Sequence, residues 1–250
     1  MITSANNTQV KNIIQLNQKA KARREQGLFV AEGRKMFGEA PKDWISRVYV
    51  TESLTADESL MKQVMELPEE KREIVADNVF RQMCDTRTPQ GILTVLKKPV
   101  WTVEDILKGD APLVMVLEDL QDPGNMGTII RTAAAAGFRA LIASEGCVDA
   151  YNPKVVRSTA GCLLKIKIIQ CRGDLIQIVG EAKHTGFRIY AAHPRGGKDL
   201  FETDFSGKFA IALGNEANGL SSRMLKLCDQ LVTIHMEAGV ESLNASVACL

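Results

Sequence analysis

Three short polar clusters hold the residues of this 250-residue sequence whose types and spacing suit chemistry. The first, EDLQDPGNMGTIIRTAAAAGF, supplies Asn125 and Arg131; the second, GNEANGLSS, supplies Asn215 and Glu216; the third, HMEAGVESLNASVACL, supplies Ser242 and Asn244. Together they offer amides, a carboxylate, hydroxyls and a permanent guanidinium cation, groups that orient a ligand and hold its charges. Each cluster follows or ends an apolar, β-prone run: PLVMVLEDL, KFAIALG and QLVTIHM. In a doubly wound sheet, ligands bind beyond the carboxyl ends of the strands, so this placement predicts one shared site. Gly214 and Gly219 suit such a site, because a residue without Cβ lets backbone approach a ligand and turn sharply. A plain strand-to-helix turn, capped by Asn218 or Ser221, is the simpler account of the second cluster and is compatible with the first.

Other chemistries find no support. No G-x-G-x-x-G opens a helix, and the GGK at Gly196 to Lys198 lacks the remaining spacing of a phosphate loop and reads as a turn. His184, His193 and His235 lie far apart without neighbouring ligands, so no metal is expected. Cys84, Cys147, Cys162, Cys171, Cys228 and Cys249 form no C-x-x-C pair, and several sit in apolar runs, as reduced core thiols do. A hydrophobic fraction of 45% with 24% charged residues suits a soluble globular protein. With no apolar run near the ~20 residues needed to span a bilayer, and a polar N-terminus, no membrane association or export is expected and the cytoplasm is the predicted location.

The elements that position the clusters follow from periodicity. Asn7 or Thr8 starts a helix carrying Val10, Ile13 and Ile14 on one face and ending near Gly27. Its polar face is basic: Lys11, Lys19, Lys21, Arg23 and Arg24 stand against Glu25 alone. Such a face is either solvated or an electrostatic footprint for a polyanion, RNA above all. Strands are predicted at LFVAEG, SRVYV, REIVA and GILTVL, with helices near 33–40, 57–67 and 77–84 between them. This makes residues 1–100 a small α/β domain, joined by a linker at 101–111 with Pro99, Gly109 and Pro112 around a short helix. From 112 to 250 the alternation restarts with PLVMVLEDL, FRALIAS, CLLKIKII, FRIYAAH, KFAIALG and QLVTIHM, whose Val, Ile, Leu and Ala density predicts parallel strands covered on both faces.

The same three clusters closely resemble the signature of the SpoU or TrmH family of RNA ribose methyltransferases, within the SPOUT superfamily. They read N-x-G-x-x-x-R-T-A from Asn125, G-N-E-x-x-G-L from Gly214 and S-L-N-x-S-V-A from Ser242. VKNIIQL and LFVAEGRKM are similar to the family's RNA-binding extension, so the likeness covers nearly the whole chain. The resemblance implies a trefoil-knotted parallel-sheet catalytic domain that binds S-adenosylmethionine, preceded by a smaller α/β RNA-binding domain. It implies cofactor contacts at Leu213, Gly214, Asn215, Gly219, Ile234, Met236 and Leu243. It implies Arg131, Asn125, Glu216, Ser242 and Asn244 as the catalytic set, with Glu216 free to pair with Arg131 or a neighbouring cation and Ser242 capping the last helix as well as facing the site. The substrate it implies is ribosomal or transfer RNA, bound in part by Lys11, Lys19, Lys21, Arg23 and Arg24. The implied assembly is a homodimer whose seam uses Leu243, Val247 and Leu250. A non-catalytic RNA-binding or ribosome-assembly factor on the same fold, and a SPOUT enzyme that methylates a base, are the alternatives.

Overall fold

The structure, a computed structural model, describes residues 1–107, 113–237 and 243–249. Ser242 and Leu250 therefore lie outside the described residues. The chain divides into two compact units, Met1–Pro99 with Tyr151–Leu164, and Val100–Ala150 with Lys165–Leu250.

In the first unit, β1 (Leu28–Glu32), β2 (Ile45–Thr51), β3 (Arg72–Val75) and β4 (Ile92–Lys97) form a sheet in the order β1-β4-β2-β3. Strand β4 runs antiparallel to β1 and β2, while β2 and β3 are parallel. Val10, Ile13 and Leu16 bury one helix face against Val79, Phe80, Met83 and the sheet residues Tyr49 and Leu93. The single basic helix expected from the sequence is two, Thr8–Gln18 and Ala20–Gln26. Lys19 is extended at φ −119° and ψ 112°. The physical reason is Arg23, whose guanidinium donates to the carbonyls of Leu16 at 2.6 Å and Asn17 at 3.2 Å. Those groups end the first helix and would otherwise lack a partner. Tyr151–Leu164, which the sequence places in the second domain, packs in this unit instead. Its helix Pro153–Ser158 buries Val155 and Val156, Tyr151 meets Phe29 at 4.9 Å between ring centroids, and Arg157 pairs with Asp85 at 2.6 Å.

The second unit is a seven-stranded sheet of β5 (Leu113–Leu117), β6 (Ala140–Ala143), β7 (Lys167–Gln170), β8 (Arg188–Ala192), β9 (Lys198–Asp199), β10 (Phe209–Leu213) and β11 (Gln230–Thr233). The order is β7-β6-β5-β10-β8-β11-β9, and every neighbouring pair is parallel. The inner strands are buried on both faces, as their unbroken apolar runs require. Two details differ from expectation. Cys162–Lys165 is a 3-10 turn, so only the second half of CLLKIKII is strand. Lys198–Asp199, inside the expected turn, pairs with Val232 and Thr233 as an edge strand. From β5 the chain winds outward through β6 and β7, then returns so that β10 lies directly beside β5. In an open α/β sheet ligands bind beyond the carboxyl ends of the strands, so the loops that follow these strands are where a site is expected.

Candidate functional site

Strand β5 ends at Leu117 and delivers the first cluster. Asp122 caps helix Pro123–Ala135 by accepting from the Asn125 backbone amide at 2.7 Å, and Pro123 occupies the first turn, where its missing N–H costs nothing. From the first turn of this helix the Asn125 side chain reaches Glu216 of the second cluster. Strand β10 ends at Leu213 and delivers the second cluster as a tight hairpin: Asn215 N donates to the Gly219 carbonyl at 3.1 Å, and Gly219 N to the Asn215 carbonyl at 2.8 Å. The Asn215 side-chain oxygen accepts from the Ala217 and Asn218 amides, which locks the turn. The hairpin tolerates no side chain at Gly214, where a Cβ would come within 3.0 Å of the Gly219 carbonyl and the Leu220 nitrogen. Gly219 sits in the left-handed region at φ +66°.

The hairpin is braced from beneath. Glu118 accepts from both the amide and the hydroxyl of Ser221, each at 2.7 Å, while the Ser221 hydroxyl also caps helix Ser222–Leu227. The Asn215 amide donates to the Asp119 carbonyl at 2.8 Å. Asp119 itself holds φ +56°, unusual for a residue with a Cβ, and exchanges hydrogen bonds with the Ser144 hydroxyl at 2.7 and 2.9 Å. The loops after β5, β6 and β10 are thereby tied to one another at the point where the strand order reverses.

A cavity of about 490 Å³ opens between the hairpin and the segments that follow β8 and β11. Leu213, Gly214, Asn215, Gly219, Ile234, Met236 and Leu243, the seven residues expected to hold a cofactor, all line it. Of the expected catalytic set, Glu216 lines it too, and Asn125 donates from its amide nitrogen to the Glu216 carboxylate at 2.9 Å. The pairing of Glu216 with Arg131 is not what the structure holds: Asn125 is the partner, because the helix cap presents its amide to the hairpin. Arg131 lies two turns further along helix Pro123–Ala135, exposed and without an ion pair among the described residues. Asn244 takes the capping role expected of Ser242: its side-chain oxygen accepts from the Ser246 amide and hydroxyl at 2.9 and 2.6 Å. The capped helix, Ala245–Ala248, turns Ala245 and Ala248 into the cavity wall.

Sequence reasoning missed the segment after β8, where Ala192, His193 and Pro194 also line the cavity. The strand-end rule that found the other clusters points there as well, since YAAHPRGG turns polar directly after an apolar run. It also missed the bracing pair Glu118 and Asp119, whose acidic doublet sits at the very end of β5. Among the expected RNA contacts, Lys11, Lys19 and Arg24 are exposed and unpaired among the described residues, and Lys21 shares an exposed i,i+4 contact of 3.7 Å with Glu25. Arg23 is 2% exposed, so its cation is enclosed within the domain and faces no polyanion.

Fold and cavity together define a doubly wound, parallel α/β protein with a cofactor-sized apolar pocket, edged by amides and one carboxylate, beyond its strand ends. The model of the SpoU rRNA Methylase family matches residues 112–250, and that of the MRM3-like substrate binding domain matches residues 7–94. The chain belongs to the SpoU rRNA methylase family. It is 34% identical over 247 residues to the 23S rRNA (guanosine(2553)-2'-O)-methyltransferase RlmP of Bacillus subtilis (strain 168), covering 99% of this chain and 95% of the relative. It is similar throughout to the AdoMet-bound rRNA methyltransferase from Sinorhizobium meliloti, with TM-score 0.87, 27% identity and coverage of 99% and 93%. A putative TrmH-family RNA methyltransferase of Porphyromonas gingivalis is similar at TM-score 0.80 and 26% identity, covering 100% of this chain and 96% of that one.

Proposed function

We propose that this protein transfers a methyl group from S-adenosylmethionine to a ribose 2'-hydroxyl of ribosomal RNA. The observation that carries the reading is the cavity itself: residues drawn from three strand ends line one pocket in a chain that aligns along 99% of its length with a 23S rRNA 2'-O-methyltransferase. The pocket suits the cofactor. Its volume falls in the ~300–1,000 Å³ range of small-molecule sites. Leu213, Ile234, Met236 and Leu243 supply apolar walls for a purine, and the hairpin backbone supplies amides and carbonyls. Gly214 lets the two arms of the hairpin close on each other, since a Cβ there would collide with the Gly219 carbonyl and the Leu220 nitrogen.

When bound there, the cofactor supplies an electrophilic methyl on a sulfonium. The protein's own residues then have three tasks. The capped hairpin and its Asp119 and Glu118 braces hold the pocket rigid, so that alignment for an in-line displacement is set before the substrate arrives. The Asn125–Glu216 pair fixes a carboxylate and an amide at the pocket edge. Arg131 meets the RNA; its guanidinium cation stabilises the charge that develops as the 2'-hydroxyl loses its proton, or clamps the adjacent phosphate. Asn244 holds the last helix against the pocket, and Ser242 belongs to the same segment. Residues 1–100 act as the RNA-binding domain and 112–250 as the catalytic domain, joined through 101–111.

In this reading the catalytic domain carries the trefoil knot that the resemblance implies, and the protein works as a homodimer in the cytoplasm. Leu243 and Val247, apolar yet 37% and 47% exposed, suit a dimer seam. All six cysteines are free, and no helix of the described residues is long and apolar enough to cross a membrane. Light scattering that returns twice the chain mass supports the dimer; an active monomer at micromolar concentration rejects it. The function is tested with tritiated S-adenosylmethionine and deproteinised 23S rRNA. Label incorporated into RNA supports an enzyme, whereas cofactor or RNA binding without transfer makes the protein a non-catalytic binder on the same fold.

A further inference from the structure

A groove of about 530 Å³ lies on the first unit, between helix Asp77–Met83, the turn after β2 and the segment leading into β4. Leu54 and Pro89, half-buried above the core residue Phe80, give it an apolar floor, and Arg81, Arg87 and Thr88 stand on its rim. Both arginines are exposed, and neither makes an ion pair among the described residues. Many other basic side chains of this unit are engaged: Arg34 with Asp57, Lys42 with Glu66, Lys35 with Glu39 and Arg157 with Asp85. The one carboxylate in the lining, Asp77, is committed to the turn after β2. It accepts from both the hydroxyl and the amide of Ser53, and these hydrogen bonds hold its carboxyl below the usual range. It remains an anion to which Arg81 adds a weaker attraction, without an ion pair to either arginine among the described residues.

We infer that this groove holds an unpaired stretch of the RNA substrate, with a nucleoside against Leu54 and Pro89 and flanking phosphates on Arg81 and Arg87. The chemistry is that of single-strand recognition, in which an apolar platform takes a base and planar guanidinium forks take phosphate oxygens. It rests on the methyltransferase reading for its choice of RNA as ligand. It differs from the basic footprint of the two N-terminal helices, whose Lys11, Lys19, Lys21 and Arg24 are exposed and line no part of this groove.

The test measures binding of deproteinised 23S rRNA to the full chain across a salt series. The Arg81→Ala/Arg87→Ala variant is compared with Lys11→Ala/Lys19→Ala/Arg24→Ala, each checked for an unchanged melting temperature and unchanged S-adenosylmethionine affinity. The arginine variant is expected to bind at least tenfold more weakly. Its slope of log K against log salt should be shallower by about 1.4, two single-strand phosphate contacts at ~0.7 each. Arg81→Lys/Arg87→Lys should restore the slope but only part of the affinity, because an ammonium keeps the charge and loses the fork. Wild-type affinity and slope in the arginine variant, or a loss confined to the helix variant, would overturn the groove while leaving the methyltransferase reading intact. Wild-type protein that neither binds nor methylates RNA would overturn both.

Discussion

Replacing Gly214 by alanine perturbs the pocket with the smallest possible change. The added Cβ falls within 3.0 Å of the Gly219 carbonyl and the Leu220 nitrogen, all backbone atoms that no rotamer change can move aside. Ordinary contact between such atoms needs about 3.5 Å, so one arm of the hairpin must retreat by roughly 1 Å. The Asn215–Gly219 hydrogen bonds, at 3.1 and 2.8 Å, and the Asn125–Glu216 contact depend on the present spacing. A displacement of that size at a preorganised site costs on the order of 10²-fold in rate. Cofactor affinity should fall at least tenfold, about 1.4 kcal/mol. Calorimetric titration with S-adenosylmethionine reads the second quantity directly. Gly180→Ala is the control: nothing lies within 4 Å of a Cβ there, the position is outside the cavity lining, and alanine suits its helix, Leu175–His184. If Gly214→Ala binds the cofactor within twofold of wild type, the hairpin is not the cofactor's cradle and the reasoning fails.

Three further outcomes follow from named groups. Arg131→Ala should lower kcat by about 10²–10³ while S-adenosylmethionine affinity stays within twofold, because the side chain is exposed, makes no ion pair among the described residues and acts on the RNA; near-normal turnover at saturating RNA removes it from the site. Arg23→Ala should lower unfolding stability by about 2–4 kcal/mol by leaving the Leu16 and Asn17 carbonyls unpaired, which a shift in urea midpoint reads; a neutral result would reduce the helix break to a local accident. Burial holds the Cys171, Cys228 and Cys249 thiols up to about 11, so iodoacetamide should spare them in the native protein at pH 8 and label them after denaturation. Since these folded-state values lie above the unfolded ~8.5, their contribution is fully present below pH ~8.5 and is lost as pH rises toward about 11; a melting temperature flat across that window counts against it.

Much of this was legible before any coordinates. The paired apolar runs KFAIALG and PLVMVLEDL lie nearly a hundred residues apart, yet each ends in a polar cluster, and the parallel sheet sets them side by side. What escaped notice depends on groups distant in sequence or on elements too short for periodicity. Strand β9 has two residues and owes its existence to Val232 and Thr233. The break at Lys19 is driven by a guanidinium reaching back to Leu16, which charge counting reads as a surface cation. Tyr151–Leu164 has the composition of its neighbours, and only its packing on β1 assigns it to the first unit. The choice of Asn125 over Arg131 as partner of Glu216 is likewise a matter of cap geometry, invisible in a motif that contains both residues.

The central claim concerns where the methyl group goes. The direct measurement is nuclease digestion and mass spectrometry of 23S rRNA from cells lacking the gene, after incubation with the purified protein and S-adenosylmethionine carrying a heavy methyl group. The account predicts one nucleoside whose mass increase stays with the ribose fragment, and an initial rate of label uptake about 10²–10³ lower with Arg131→Ala. A heavy methyl found on the base fragment, or RNA that gains no label while the cofactor binds normally, would contradict it.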